Sequence, residues 1–203
     1  MRRSAAERRH EIVTAATQVA LQEGLECVTR QRIADDLGVQ PGLIHHYFPV
    51  VEELVAEAFT TATLAELDGL LPQPAPDGPG ALPALRRFFT LISGAEFDDI
   101  SKLWLNARHL ARYRPVLHEQ VVSQELRWCR RLAEIIGEGV GEGAVTCDDP
   151  WAAAVRILAV VDGAGAYINT TADRRAEPLA DLARTLAEAE LKLASGGLRS
   201  HAS

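Results

Sequence analysis

Between Thr29 and Phe48 the chain reads TRQRIADDLGVQPGLIHHYF, and its second half offers Gln40, Gly42, Leu43, His45, His46 and Tyr47 as groups able to do chemistry. They are small, aromatic or hydrogen-bonding, with almost no flexible charge. That suits a DNA major groove, where such groups meet thymine methyls, base edges and phosphates. Leu43 and His46, with Gln40 and Gly42 beside them, are expected at base edges; Thr29, Gln31, His45 and Tyr47 are expected at phosphates. Arg2 and Arg3 could reach an adjacent minor groove as an arm, with a solvated tail as the alternative.

Catalytic and metal chemistry find no comparable support. The histidines at 10, 45, 46, 109, 118 and 201 form no HxxxH or HExxH pair. His45 and His46 would point about 100° apart on a helix, poor geometry for sharing a metal. Asp98-Asp99 resembles a helix cap, and the Gly137–Gly141 spacing falls at a helix end, not after a strand. No catalytic residue, metal or cofactor is expected.

The elements that must position these groups follow from periodicity and breakers. Ile33, Ala34 and Leu37 give one short helix an apolar face, and Thr29 stands where its oxygen can cap the start. Gly38 ends that helix, Val39 plugs the turn, and Pro41 suits the first turn of a second helix in which Ile44 and Phe48 face inward. A helix this short is stable only when docked on neighbours. Before it, a helix over about 5–23 carries Ile12, Ala16, Val19 and Ala20 on one stripe and stops at Gly24. After it, a helix over 51–71 carries Leu54, Val55, Ala58, Phe59, Leu64 and Leu67. The stretch 72–80, PQPAPDGPG, is a surface loop. Further helices are predicted at 81–95, 97–113, 115–139, 149–170 and 177–195, with 141–143 and 172–173 as connectors; Asp149-Pro150 is a start signal. The fold class is all-α, about nine helices, with no alternating strand pattern and no internal repeat.

With 203 residues and 47% apolar content the chain can bury one sizeable core and a small satellite domain. The formal charge of −7 sits unevenly. Residues 1–50 hold six arginines and six acids, so the whole excess lies beyond residue 50. An acidic body disfavours nonspecific adhesion to nucleic acid. Cys27, Cys129 and Cys147 include no CxxC pair and are odd in number, which points to free thiols in a reducing cytoplasm. The N-terminus is too charged for a signal peptide. The most apolar stretch, 151–168, contains Arg156 and Asp162 and is too short to span a bilayer, so no membrane association is expected.

Residues 10–55 resemble the N-terminal helix-turn-helix domain of the TetR family of ligand-responsive transcriptional regulators. The resemblance rests on Glu23-Gly24, Thr29, Ile33-Ala34, Gly38-Val39 and Tyr47-Phe48. Residues 97–171, with Trp104, Trp128 and Asp162-Gly163, are similar to the C-terminal domains of the BetI-like branch. The resemblance implies a DNA-binding domain over 1–50, a ligand-binding and dimerisation domain over 51–203, and a homodimer that is released from palindromic operator DNA by a small-molecule effector. Two recognition helices would enter successive major grooves about 34–36 Å apart. Family members usually carry a lysine at the start of the fourth helix; here Pro49-Val50-Val51 stands instead, which shifts backbone grip onto Tyr47, His45, Thr29 and the N-terminal arginines. That loss, with the net-neutral head, is the support for an alternative: a helical small-molecule-binding protein or enzyme whose helix-turn-helix is vestigial.

Two further sets of residues complete the expectation. Trp104 and Arg108 share one side of a helix and Glu125 and Trp128 share one side of the next, so the four could line a mixed apolar pocket; a core tryptophan and a salt-bridged arginine are the plain alternative. In the last two helices Ala154, Val155, Leu158, Ala159, Val161, Asp162, Gly163 and Ala166 form a small-residue stripe, facing Leu179, Leu182, Ala183, Leu186 and Leu193. Periodicity leaves open whether these faces complete a core or meet a second subunit. The family resemblance implies a four-helix dimer interface through Val155, Leu158, Ala159, Asp162, Gly163, Ala166, Leu182 and Leu186.

Overall fold

A computed structural model describes residues 4–73, 78, 80–94, 97–169 and 179–199. Among them the chain forms nine α-helices, one short 3-10 turn and no strand. The helices are α1 (Ala5–Glu23), α2 (Arg30–Leu37), α3 (Pro41–Tyr47), α4 (Val51–Leu70), α5 (Ala81–Ile92), α6 (Asp98–Ala111), α7 (Pro115–Gly141), α8 (Pro150–Ile168) and α9 (Leu179–Glu190), with the 3-10 turn at Leu25–Cys27. Arg2, Arg3 and the 172–173 connector lie outside the described residues, as does much of the 72–80 loop.

The first helix begins at a capping box: Ser4 Oγ accepts from the Glu7 N–H at 3.1 Å while Glu7 Oε2 accepts from the Ser4 N–H at 2.6 Å. It buries Ile12, Val13, Ala15, Ala16, Val19 and Ala20. Gly24, at φ 102°, then turns the chain into the 3-10 segment, a conformation closed to most side chains. Thr29 caps α2 by accepting from the Arg32 N–H at 3.1 Å. Gly38 ends it at φ 63° and ψ 36°, and the Val39 N–H reaches back to the Ala34 carbonyl at 2.9 Å.

The chain divides into two compact units. The first comprises Met1–Ala65 with Lys102–Gln124 and the second Glu66–Ser101 with Glu125–Ser203, so α4, α6 and α7 contribute residues to both. The first unit is built around Ile12, Leu25, Ile33, Ile44, Phe48, Leu54 and Phe59, all fully buried. The edge of Phe59 meets the Trp104 ring with centroids 5.0 Å apart. Leu25 is additionally tied to α6: its N–H donates to Asn106 Oδ1 at 2.8 Å, and Asn106 Nδ2 donates to Glu26 at 2.8 Å.

The second unit buries Leu85, Phe88 and Phe89 of α5, Leu132, Ile135 and Ile136 of α7, Ala153, Ala154 and Ile157 of α8, and Ala187 of α9. Asp149 caps α8 by accepting from the Ala152 N–H at 3.0 Å. The last helix stops at Glu190, earlier than the predicted 195. Lys192 takes a left-handed φ of 52°, and the buried Glu188 carboxylate accepts from the N–H groups of Gly196 and Leu198 at 3.0 and 3.1 Å. A charged acceptor thus offers the tail amides better partners than another helical turn would. No described helix is long and apolar enough to cross a membrane.

Candidate nucleic-acid interface

The interface begins with how α3 is held. Ile44 is fully buried and Phe48, the residue that closes the helix, is 1% exposed. The Phe48 N–H completes the helix on the Ile44 carbonyl at 2.8 Å. Arg9 of α1 lies over the Phe48 ring, 4.7 Å from its centroid, while its guanidinium bonds Glu57 of α4. The Glu57 bond holds the Arg9 pKa above its ordinary value, against an opposing effect of burial. One arginine thereby joins α1, α4 and the end of α3. A cation resting on an aromatic face contributes about 0.5–2 kcal/mol.

Two apolar anchors and this clamp leave the rest of α3 outward. Gln40, Gly42, His45 and His46 are exposed, and Leu43 and Tyr47 are half-buried. The Gln40 side chain makes no capping bond, so Pro41 alone sets the helix entry. His46 and Tyr47 meet edge to face at 5.2 Å, which orients both rings. On α2, Thr29 is exposed and uses its oxygen as the cap, which leaves the hydroxyl proton to donate. Gln31 is exposed and donates from Nε2 to Asp35 at 2.7 Å, so the amide is oriented by its own helix. These eight residues, expected at DNA from sequence, thus lie on two consecutive helices and the turn between them, none of them fully buried.

Electrostatics around this surface are mostly neutralised internally. Arg32 bonds Glu23 at 2.6 Å and Asp36 at 3.4 Å, and Arg8 bonds Glu11 at 2.6 Å. Hydrogen bonding to Arg32 draws the Glu23 carboxyl below its ordinary 4.5. Among the described residues no group of three or more His, Cys, Asp or Glu side chains is placed to hold a metal ion.

The other two sets of residues are distributed as follows. The Arg108 guanidinium lies over the Trp104 ring at 4.9 Å, within the first unit; Trp104 is 7% exposed. Glu125 and Trp128 belong to the second unit. Trp128 is also 7% exposed, and its indole N–H has no hydrogen-bond partner among the described residues. In α8 Val155, Ala159, Asp162 and Gly163 are exposed and Leu158 and Ala166 half-buried; in α9 Leu182 is exposed and Leu186 half-buried. Ala154, Val161 and Ala183, which periodicity places on the same stripes, are instead buried inside the subunit. For those three the core alternative holds, since α8 packs on α9 and leaves its other edge open. Leu193 lies beyond the end of α9. All three cysteines are free and half-buried. Burial raises the Cys129 thiol, aided by the Glu125 and Asp162 carboxylates.

Asn106 and Arg30 were not singled out in the sequence. The partner of Asn106 lies 81 residues away, and no local pattern signals it. Arg30 carries no local signal either, because its partners, the Phe48 and Pro49 carbonyls, lie 18 and 19 residues away.

Two family models and several solved structures match the chain. Residues 12–58 match the family model of bacterial regulatory proteins of the tetR family, and residues 83–194 match that of the BetI-type transcriptional repressor C-terminal domain. No curated protein matches the chain. Among solved structures, a TetR transcription regulator from Haloarcula marismortui aligns with TM-score 0.76 at 22% identity, covering 92% of this chain and 99% of that one. A transcriptional regulator from Saccharomonospora viridis, in complex with choline, aligns at 0.72 and 21% identity, covering 90% and 96%. The reduced form of NemR from E. coli aligns at 0.74 and 14% identity, covering 90% and 96%. At these identities the structural likeness concerns the fold.

Proposed function

The chain belongs to the TetR family of transcriptional regulators, with a BetI-type C-terminal domain, and from that premise we propose that it is a homodimeric repressor released from a palindromic operator by a small-molecule effector. The observation that carries the reading is the docked α3, whose buried Ile44 and Phe48 leave Gln40, Gly42, His45 and His46 outward. In this reading residues 1–50 form the DNA-binding head and residues 51–203 the ligand-binding and dimerisation portion. Leu43 and His46, with Gln40 and Gly42, read base edges; Thr29, Gln31, His45 and Tyr47 grip phosphates.

A twofold operator requires a twofold protein. The exposed outer edge of α8, at Val155, Ala159, Asp162 and Gly163, with Leu158, Ala166, Leu182 and Leu186, supports a contact between copies of α8 and α9. An effector acts by binding more tightly to the form that cannot span both half-sites, and its differential affinity is the whole source of release. Two links could carry the movement to the head: Asn106 of α6 holds the Leu25 N–H at 2.8 Å, and Arg9 joins Glu57 of α4 to the end of α3. Trp104 and Arg108 in the first unit, and Glu125 and Trp128 in the second, are each candidates for effector contact. The unpartnered Trp128 N–H supports a ligand with a hydrogen-bond acceptor, because a buried donor gains what it lost to water only when paired. The protein acts in the cytoplasm, where its free thiols are stable.

The test is a mobility shift on the duplex upstream of the chain's own coding region against a random duplex of equal length. Preference for the upstream duplex, reversed by an effector in a titration series that includes choline, is the expected result. Equal binding to both duplexes refutes specific regulation.

A further inference from the structure

We propose that Arg30 is a phosphate-binding residue that places a fixed positive charge at the junction of α3 and α4, an inference that rests on the DNA-binding reading above. The argument begins with charge. Within residues 4–50 the structure describes four arginines. Arg8 is paired with Glu11, Arg9 with Glu57, and Arg32 with Glu23 and Asp36. Arg30 has no carboxylate partner among the described residues.

Its guanidinium is nevertheless held. Nε donates to the Phe48 carbonyl at 3.4 Å and Nη2 donates to the Pro49 carbonyl. Phe48 closes α3, and Pro49 comes two residues before α4. Neutral carbonyls orient the group without cancelling its charge. Two of its five N–H groups are used, and three remain for an anion. The side chain is half-buried, so little rotamer freedom is left to lose on binding.

The other described cation at the end of α3, Arg9, is already paired with Glu57. Pro49, Val50 and Val51 carry no charge, and the first turn of α4 holds Glu52 and Glu53. A phosphate approaching the end of the recognition helix would meet that acidic field unless an uncompensated cation stood in front of it. Thr29, the neighbour of Arg30, is exposed at the start of α2. Thr29 and Arg30 therefore bring a hydroxyl and a guanidinium to the flank of the α3 face.

Salt dependence of binding tests this, measured on the upstream duplex and on a random duplex of equal length. Each phosphate contact contributes about 0.9 to the log–log slope on duplex DNA. Arg30→Ala and Arg30→Gln are expected to lower the slope by about one per subunit and to weaken both duplexes about tenfold at low salt. Arg30→Lys should retain the slope. Arg30→Ala combined with Val51→Lys, which returns a cation to the same junction, should restore it. A wild-type slope in both Arg30→Ala and Arg30→Gln overturns the proposal, as does a loss confined to the upstream duplex, which would make Arg30 a base contact. If wild-type protein binds neither duplex, the DNA-binding reading fails first, and Arg30's role with it.

Discussion

Replacing Asn106 probes the tie between α6 and the head. Its Oδ1 takes the N–H of Leu25, a residue with no exposed surface, and its Nδ2 donates to the Glu26 carboxylate, both at 2.8 Å. Asn106→Ala strands the Leu25 donor, at a cost of about 1–3 kcal/mol for an unsatisfied buried N–H. The exposed bonds to Glu26 add less than about 1 kcal/mol. The expected loss is about 1–4 kcal/mol, or roughly 2–16 °C in Tm for a chain of this size. Asn106→Asp separates the two contributions. It keeps an acceptor for Leu25 but replaces the amide donor to Glu26 with a second carboxylate, so its penalty at neutral pH comes from the Glu26 contact alone. Urea unfolding at fixed protein concentration, with the slope against urea unchanged, measures both variants. An Asn106→Ala protein within about 0.5 kcal/mol of wild type, or an Asn106→Asp protein of wild-type stability at pH 7, refutes the reasoning.

Further outcomes follow from the remaining sites. His46→Ala should cost roughly 1–3 kcal/mol on the cognate operator and much less on random DNA; equal losses in titrations of both would move His46 to the phosphate class. Gly163→Arg should split the dimer in sedimentation without unfolding the subunit, because a Cβ there meets nothing within 4 Å; an intact dimer would remove this edge of α8 from the interface. Trp128→Phe removes an unpartnered donor, so it should cost little stability while raising about tenfold the effector concentration that frees DNA; release at the wild-type concentration would make Trp128 core alone. Glu23, held below 4.5 by Arg32, contributes stability above its unfolded pKa that is lost as pH falls through its lower folded value. Glu23→Gln should then be less stable than wild type at neutral pH and low salt and converge with it only as pH falls through the lowered folded-state value of Glu23; parallel pH profiles would show that the pair contributes nothing.

Sequence alone determined what local rules govern. Thr29, Gly38 and Pro41 place the start of α2, its left-handed end and the start of α3, because capping, positive φ and a fixed φ are properties of single residues. The alternation of Ile33, Ala34, Ile44 and Phe48 with exposed groups marks the docked and open faces, because helical period is fixed by the backbone. Asp149-Pro150 starts α8 for the same reason. Tertiary structure decided the rest. Ala154 and Val155 are neighbours in one apolar stripe, yet one is buried and the other 41% exposed, since the packing of α8 on α9 selects which edge is covered. The 3-10 turn at Leu25–Cys27 is tied at its start to Asn106, 81 residues away. Arg30 reads like any helix-start arginine until Phe48 and Pro49 present their carbonyls to it. Each of these depends on which distant group arrives within hydrogen-bonding or van der Waals reach, and such forces, acting over a few ångströms, leave no periodic trace along the chain.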